Sequence, residues 1–212
     1  MSKFLIVPGL PKSGTTFLYS QLSAQPDNFN VPADRKEIDY FRRGQSLSDY
    51  QKLFETNDEE KVYLDCSPQY ADDIQRNTAL IKHGLDGQQV KIVFCMRNPF
   101  ERMYSHYLHD IAQNFQIMGQ APHSVYMPSV MSRYMYPLAS RVEYYIEQFG
   151  IENVHGFSFI SQDSNTESVI REFADLPVDW KLDFSKNPAA GFTSPKTYFS
   201  SCLLYTSPSP RD

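Results

Sequence analysis

Two short strings in this 212-residue chain hold the groups that phosphate chemistry needs. Gly9-Leu10-Pro11-Lys12-Ser13-Gly14-Thr15-Thr16 gathers two glycines, a lysine and three hydroxyl residues into eight positions. The backbone N–H groups of such a loop, with the positive end of a following helix, bind phosphate oxygens, and Gly14 lets the backbone approach closely. Further along, Arg97-Asn98-Pro99-Phe100-Glu101-Arg102-Met103-Tyr104-Ser105 sets a serine eight residues after an arginine. An arginine that ends a strand and a serine on the next helix can converge on one phosphate, the guanidinium giving a planar fork of donors and the hydroxyl one more.

Such strings act only if strands and helices place them, and the surrounding pattern supplies both. Residues 3–7 read as a short buried strand, residues 8–14 as a turn and residues 15–25 as helix. Val62-Tyr63-Leu64 is a second strand ending at Asp65, followed by helical pattern over residues 72–83. Residues 91–96 form the third and most apolar strand. Pro99 then opens a helix at its first turn, where the missing N–H is harmless, and the pattern runs to Gln113. Residues 114–137 carry Met118, Met127, Met131 and Met135 among tyrosines and prolines without clean periodicity, and read as an irregular excursion, either a surface loop or a lid. Residues 138–149 follow as amphipathic helix, 154–160 as a fourth strand and 166–174 as another helix. Strands alternating with helices imply right-handed crossovers and a parallel sheet, hence an α/β fold.

Gly9, Gly14 and Thr16 fit the Walker pattern of nucleoside-triphosphate loops, but Thr15 stands at its lysine position and the lysine lies inside the loop as Lys12. A Walker lysine serves the β- and γ-phosphates beside magnesium, so a different donor is indicated. Pro11-Lys12-Ser13-Gly14-Thr15-Thr16-Phe17 resembles the 5'-phosphosulfate loop of the sulfotransferases that use 3'-phosphoadenosine 5'-phosphosulfate (PAPS). In that family the Arg of an R-N-P string and a Ser eight residues later hold the 3'-phosphate, and Arg97 and Ser105 match in type and spacing. The resemblance implies an α/β, three-layer P-loop-type domain with a central parallel sheet flanked by helices. It also implies PAPS as co-substrate, leaving as adenosine 3',5'-bisphosphate, with no metal. The implied cofactor-binding residues are Lys12, Ser13, Gly14, Thr15, Thr16, Arg97 and Ser105.

Lys36-Glu37-Ile38-Asp39-Tyr40-Phe41 resembles the K-E-x-x-[YF]-F segment of carbohydrate-type sulfotransferases of the heparan branch, whose Glu acts as general base. Carried over, Glu37 takes the acceptor proton, Lys12 offsets charge on the departing phosphate oxygen and Lys36 assists. The implied acceptor is a glycan or small molecule presenting a hydroxyl or amine. Asp65-Cys66-Ser67-Pro68-Gln69-Tyr70 resembles the family's acidic-x-Ser-Pro-x-Tyr segment, with Asp where Glu is usual, although the strand before it also suits a Walker B aspartate. Aryl and steroid sulfotransferases use a histidine as base, and His106 and His109 fit no such motif. Ser132-Arg133-Tyr134 and residues 187–196 resemble later family elements, the latter the start of a segment closing over the cofactor. Two other readings share these residues: a small-molecule kinase with a degenerate P-loop, needing magnesium and ATP, and a nucleotide-binding module without turnover.

Composition bounds the rest. With 41% hydrophobic residues the chain can bury one sizeable core. A net charge of -5 argues against a nucleic-acid partner while leaving room for a local basic pocket. The run Phe4-Leu5-Ile6-Val7 is too short for a membrane span or a signal segment, so a cytoplasmic location is expected. Cys66, Cys95 and Cys202 show neither disulfide-framework nor zinc spacing. Residues 202–212 resemble, residue for residue, the translation of a transposase adapter used in preparing sequencing libraries. The domain is therefore read as residues 1–201, incomplete at its C-terminus; the alternative is a natural Ser/Pro-rich tail.

Overall fold

The computed structural model describes residues 1–118, 138–158 and 164–186. The readings made for the Met-rich excursion beyond Met118, for Ser132-Arg133-Tyr134, for residues 187–196 and for the tail lie outside the described residues. Met1–Leu182 form one compact unit, and the fold below is that unit's. Asp183–Asp212 form a second, in which the turn Phe184–Lys186 is described.

Strands β1 (Lys3–Ile6), β2 (Phe29–Asn30), β3 (Val62–Asp65), β4 (Gln89–Met96) and β5 (Val154–Ser158) build one sheet in the order β2-β3-β1-β4-β5. Every neighbouring pair is parallel, and Ile6 sits between Asp65 and Ile92. The helices are α1 (Thr15–Ser23), α2 (Leu47–Gln51), α3 (Ile74–Gly84), α4 (Pro99–Met118), α5 (Leu138–Phe149) and α6 (Ser164–Phe173).

Phe4, Leu5 and Ile6 are all fully buried, which an unbroken apolar run achieves only in a strand covered on both faces. On one face Phe4, Ile6, Ile92 and Phe94 share a core with Ile81 of α3 and Tyr145 of α5. Phe94 and Tyr145 meet edge to face at 5.0 Å. On the other face Phe17 of α1 stacks on Phe157 of β5 at 6.4 Å, and the Thr166 hydroxyl of α6 donates to the Gly156 carbonyl at 2.6 Å. The expected α/β sandwich with a central parallel sheet is therefore the observed one.

The expected strands and helices appear with shifted ends. α4 continues past residue 113 to Met118, because no glycine or proline interrupts it before Gly119. Two elements were not foreseen: the two-residue edge strand β2, and α2, which begins where the Ser46 side chain accepts from the Asp49 N–H. α2 matters because it delivers Tyr50, fully buried against Phe4 and Phe41, to the end of β3.

Candidate active site

The loop after β1 is stitched to both neighbouring strands. The Val7 N–H donates to the Asp65 carbonyl at 2.8 Å, the Cys95 N–H to the Gly9 carbonyl at 2.9 Å and the Leu10 N–H to the Cys95 carbonyl at 3.3 Å. It thus opens at the carboxyl ends of parallel strands, where ligands collect in α/β sheets. Gly9 holds φ 145°, and a Cβ there would lie 3.0 Å from the Ala71 Cβ and 3.2 Å from the Pro68 carbonyl oxygen. Gly14, at φ 98°, is the residue before α1, which consequently has no capping side chain and no acid in its first turn. By contrast Ser46, Asp73 and Asn98 cap α2, α3 and α4 with side-chain oxygens. The first N–H groups of α1 are left for an anion. Ser13 is fully buried, and its Oγ has no hydrogen-bond partner among the described residues. A buried hydroxyl without a partner is uncommon in a native fold, and here it is one that a phosphate oxygen would satisfy. The donor set therefore fits a phosphate group, with Lys12 at φ 64° in the middle of the loop.

Lys36 brings the second segment to this loop. Its Nζ lies 3.5 Å from the hydroxyls of both Thr15 and Thr16 and 2.9 Å from Glu37 Oε1. One ammonium joins the phosphate loop to the expected base. Its field reaches the strand ends beneath: burial pushes the Cys95 thiol up to about 12 and the Cys66 thiol well up, while Lys36 pulls both the other way. Both cysteines are free and buried.

What fixes the Lys36–Glu37 segment is Asp65, whose role sequence reading left open. Asp65 is fully buried and accepts from the Tyr50 hydroxyl at 2.8 Å, the Tyr70 hydroxyl at 2.9 Å and the Ser67 hydroxyl at 2.5 Å. Two of those hydroxyls hold backbone in turn: Ser67 Oγ accepts from the Asp39 N–H at 3.0 Å and the Tyr70 oxygen from the Phe41 N–H at 3.3 Å. Burial pushes the Asp65 carboxyl up to about 6, the three donors pull it back, and the charge of Asp39 adds to the rise. A Walker B aspartate would face the phosphate loop; the oxygens of Asp65 face three core hydroxyls and position the segment instead. Tyr50 gave no signal in the sequence, although the Ser46 cap would have disclosed the helix that carries it.

Arg97 follows β4 directly, two residues after the Cys95 that the loop grips. Asn98 Oδ1 accepts from the Phe100 N–H at 3.0 Å and the Glu101 N–H at 3.3 Å, so the R-N-P string reads as strand end, helix cap and first helical turn. Arg97 Nε donates to Glu101 Oε2 at 3.2 Å, a half-exposed pair, and no hydrogen bond links Arg97 to Ser105. Ser105 is half-buried on α4, two turns beyond Asn98. The structure thus brings Thr15, Thr16, Lys36 and Glu37 into direct contact and sets Arg97 and Ser105 on the adjoining strand-helix junction. Among the described residues no group of His, Cys, Asp and Glu is arranged to hold a metal ion, and no helix is long and apolar enough to cross a membrane.

Comparison with known proteins gives the family and the fold. The model of the sulfotransferase domain family matches residues 2–176. A sulfotransferase from Alicyclobacillus acidocaldarius shares the fold at 22% identity, with a TM-score of 0.61 over 97% of this chain and 91% of its own. A sulfotransferase domain from the curacin biosynthetic pathway does so at 14% identity, with a TM-score of 0.55 over 85% of this chain and 76% of its own. No curated protein sequence matches this one. With that family model matching residues 2–176 of 212, the chain belongs to the sulfotransferase domain family.

Proposed function

We propose that the protein transfers a sulfonate group from PAPS to a hydroxyl or amine of a glycan acceptor, in the cytoplasm. The observation that carries this reading is the bridge of Lys36 between the Thr15 and Thr16 hydroxyls and Glu37, which sets a carboxylate beside a phosphate loop. When bound, PAPS supplies a sulfonate on a phosphate leaving group. Lys12, the Ser13 hydroxyl, the N–H groups after Gly14 and the hydroxyls of Thr15 and Thr16 would hold its 5' side, and Arg97 with Ser105 its 3'-phosphate. Glu37, two-fifths exposed, takes the proton from the acceptor as the new bond to sulfur forms. Lys12 and Lys36 offset the negative charge that gathers on the departing phosphate oxygen. Asp65 acts at a distance by holding Asp39 and Phe41, and so the segment in which Glu37 lies.

Calorimetric titration with adenosine 3',5'-bisphosphate, beside ATP with magnesium, tests the assignment. Binding of the bisphosphate that weakens by about a hundredfold in Arg97→Ala is expected, the loss of a bidentate charged contact. Preference for magnesium-ATP would replace this reading with a kinase.

A further inference from the structure

The turn Pro68–Ala71 stands between the two halves of the site. On one side it packs on the phosphate loop, so closely that a Cβ on Gly9 would lie 3.0 Å from the buried Ala71 Cβ. On the other it holds the segment that carries Glu37 at three points. Ser67 Oγ, just ahead of the turn, accepts from the Asp39 N–H, the Tyr70 oxygen accepts from the Phe41 N–H, and Gln69 Oε1 accepts from Arg42 Nη1. A shift of this turn therefore moves the loop and the base segment together.

Four residues cannot fix their own position. The closing carbonyls of so short a helical turn need donors from outside it. Asn77 of α3 supplies two of those bonds, its Nδ2 donating to the Tyr70 carbonyl at 3.2 Å and to the Gln69 carbonyl at 3.4 Å. Arg141 of α5 supplies another, its Nε donating to the Ala71 carbonyl at 2.8 Å. For the helix alone, Asn77 is ill suited to its place. It lies on the face that Ile74 and Ile81 turn to the core, it is only 2% exposed, and asparagine is a poor helix former. The carbonyls it satisfies account for an amide at a position where the helix pattern calls for an apolar side chain.

We propose that Asn77 is a positioning residue of the transfer site: by pinning the turn Pro68–Ala71 it ties the phosphate loop to the Glu37 segment, so that filling the loop also settles the base. Asn77 acts through the turn and takes no part in the chemistry. Resting on the transfer reading above, this link means that an occupied loop presents a better ordered Glu37 to the acceptor than an empty one.

Adenosine 3',5'-bisphosphate is the probe, with its affinity read by calorimetry and the Asp39 and Phe41 amides followed by NMR. In the wild type both amides should shift on saturation. Asn77→Ala should weaken bisphosphate binding by about fivefold or more, the worth of a lost hydrogen bond, and at saturation its two amides should stay where they stand without ligand. Ile81→Val trims the same core one turn further along α3, with a side chain that has no hydrogen bond to offer the turn. It should change the affinity by about twofold at most and keep both shifts. If Asn77→Ala does not fold, the half-buried Arg141→Gln carries the same expectation through the Ala71 carbonyl. Unchanged affinity in the folded variant, amide shifts that survive in it, or an equal loss in Ile81→Val would each overturn the proposal, the last because general destabilisation would then be the cause. The wild type separates this claim from the one beneath it. If it binds the bisphosphate and Asn77→Ala behaves identically, the link alone falls; if it does not bind, the transfer reading falls and the link with it.

Discussion

Replacing Asp65 by Asn keeps the outline of a buried side chain and removes its charge, which separates two effects the structure superimposes. In the folded chain the Asp65 carboxyl is raised from 3.8 to about 6, chiefly by burial. It holds its proton more tightly folded than unfolded, so its contribution to stability is full below the unfolded value and is lost as pH rises through about 6. By linkage the whole swing is about 3 kcal/mol, roughly half of it between about pH 5 and about pH 7.5. An asparagine does not titrate and lacks that swing. It has its own defect: its amide N–H groups meet hydroxyls that already accept from the Asp39 and Phe41 N–H groups, leaving about one hydrogen bond unmade at about 1–3 kcal/mol. Urea unfolding of both proteins at the two pH values is the assay. The variant should be the less stable at the lower pH, and its deficit should shrink on moving to the higher by about a factor of ten in the unfolding constant. A deficit that stays constant or grows with pH would refute the reasoning, because Asp65 would then be ionised with ordinary acidity throughout.

Three further perturbations probe the site. Glu37→Gln should lower kcat by about 10²- to 10⁴-fold, the usual effect of losing a general base, while bisphosphate affinity measured by calorimetry stays unchanged; retained turnover would remove Glu37 from the base role. Glu101→Gln releases Arg97 from its helical ion pair and takes a negative charge away from the expected 3'-phosphate. Bisphosphate should bind about twofold tighter, in keeping with the small worth of a half-exposed pair, and weaker binding would show that the pair orients Arg97 for the ligand. Gly9→Ala puts a Cβ 3.0 Å from Ala71 at φ 145°, so thermal unfolding should reveal a loss of about 1–3 kcal/mol together with weaker bisphosphate binding; a neutral result would mean that the loop can shift freely.

The parts legible in the sequence are those whose causes lie close together along the chain. A strand of continuous apolar residues, a loop with Gly9 and Gly14, and an uncapped helix are consecutive, and backbone sterics and helix-end chemistry act over a few residues. The same holds for Arg97-Asn98-Pro99, where strand end, cap and helix start follow one another. Short elements were not legible: β2 has two residues and α2 five, too few for a periodic pattern to emerge. Nor could residue type alone show that Arg97 rests against Glu101.

By itself, then, the sequence determined the α/β class, the glycine-bearing loop between β1 and α1 and the strand-to-helix junction after β4. The tertiary structure decided how the loop and the base segment meet, through Lys36 lying against Thr15 and Thr16, and why that segment stays in place. Asp65 can serve as its anchor only because the parallel sheet sets the end of β3 beside β1 and the core delivers Tyr50 from α2 and Tyr70 from the turn Pro68–Ala71 onto one buried carboxylate. Hydrogen bonds between residues this far apart in the chain depend on packing, and packing is a property of the folded whole.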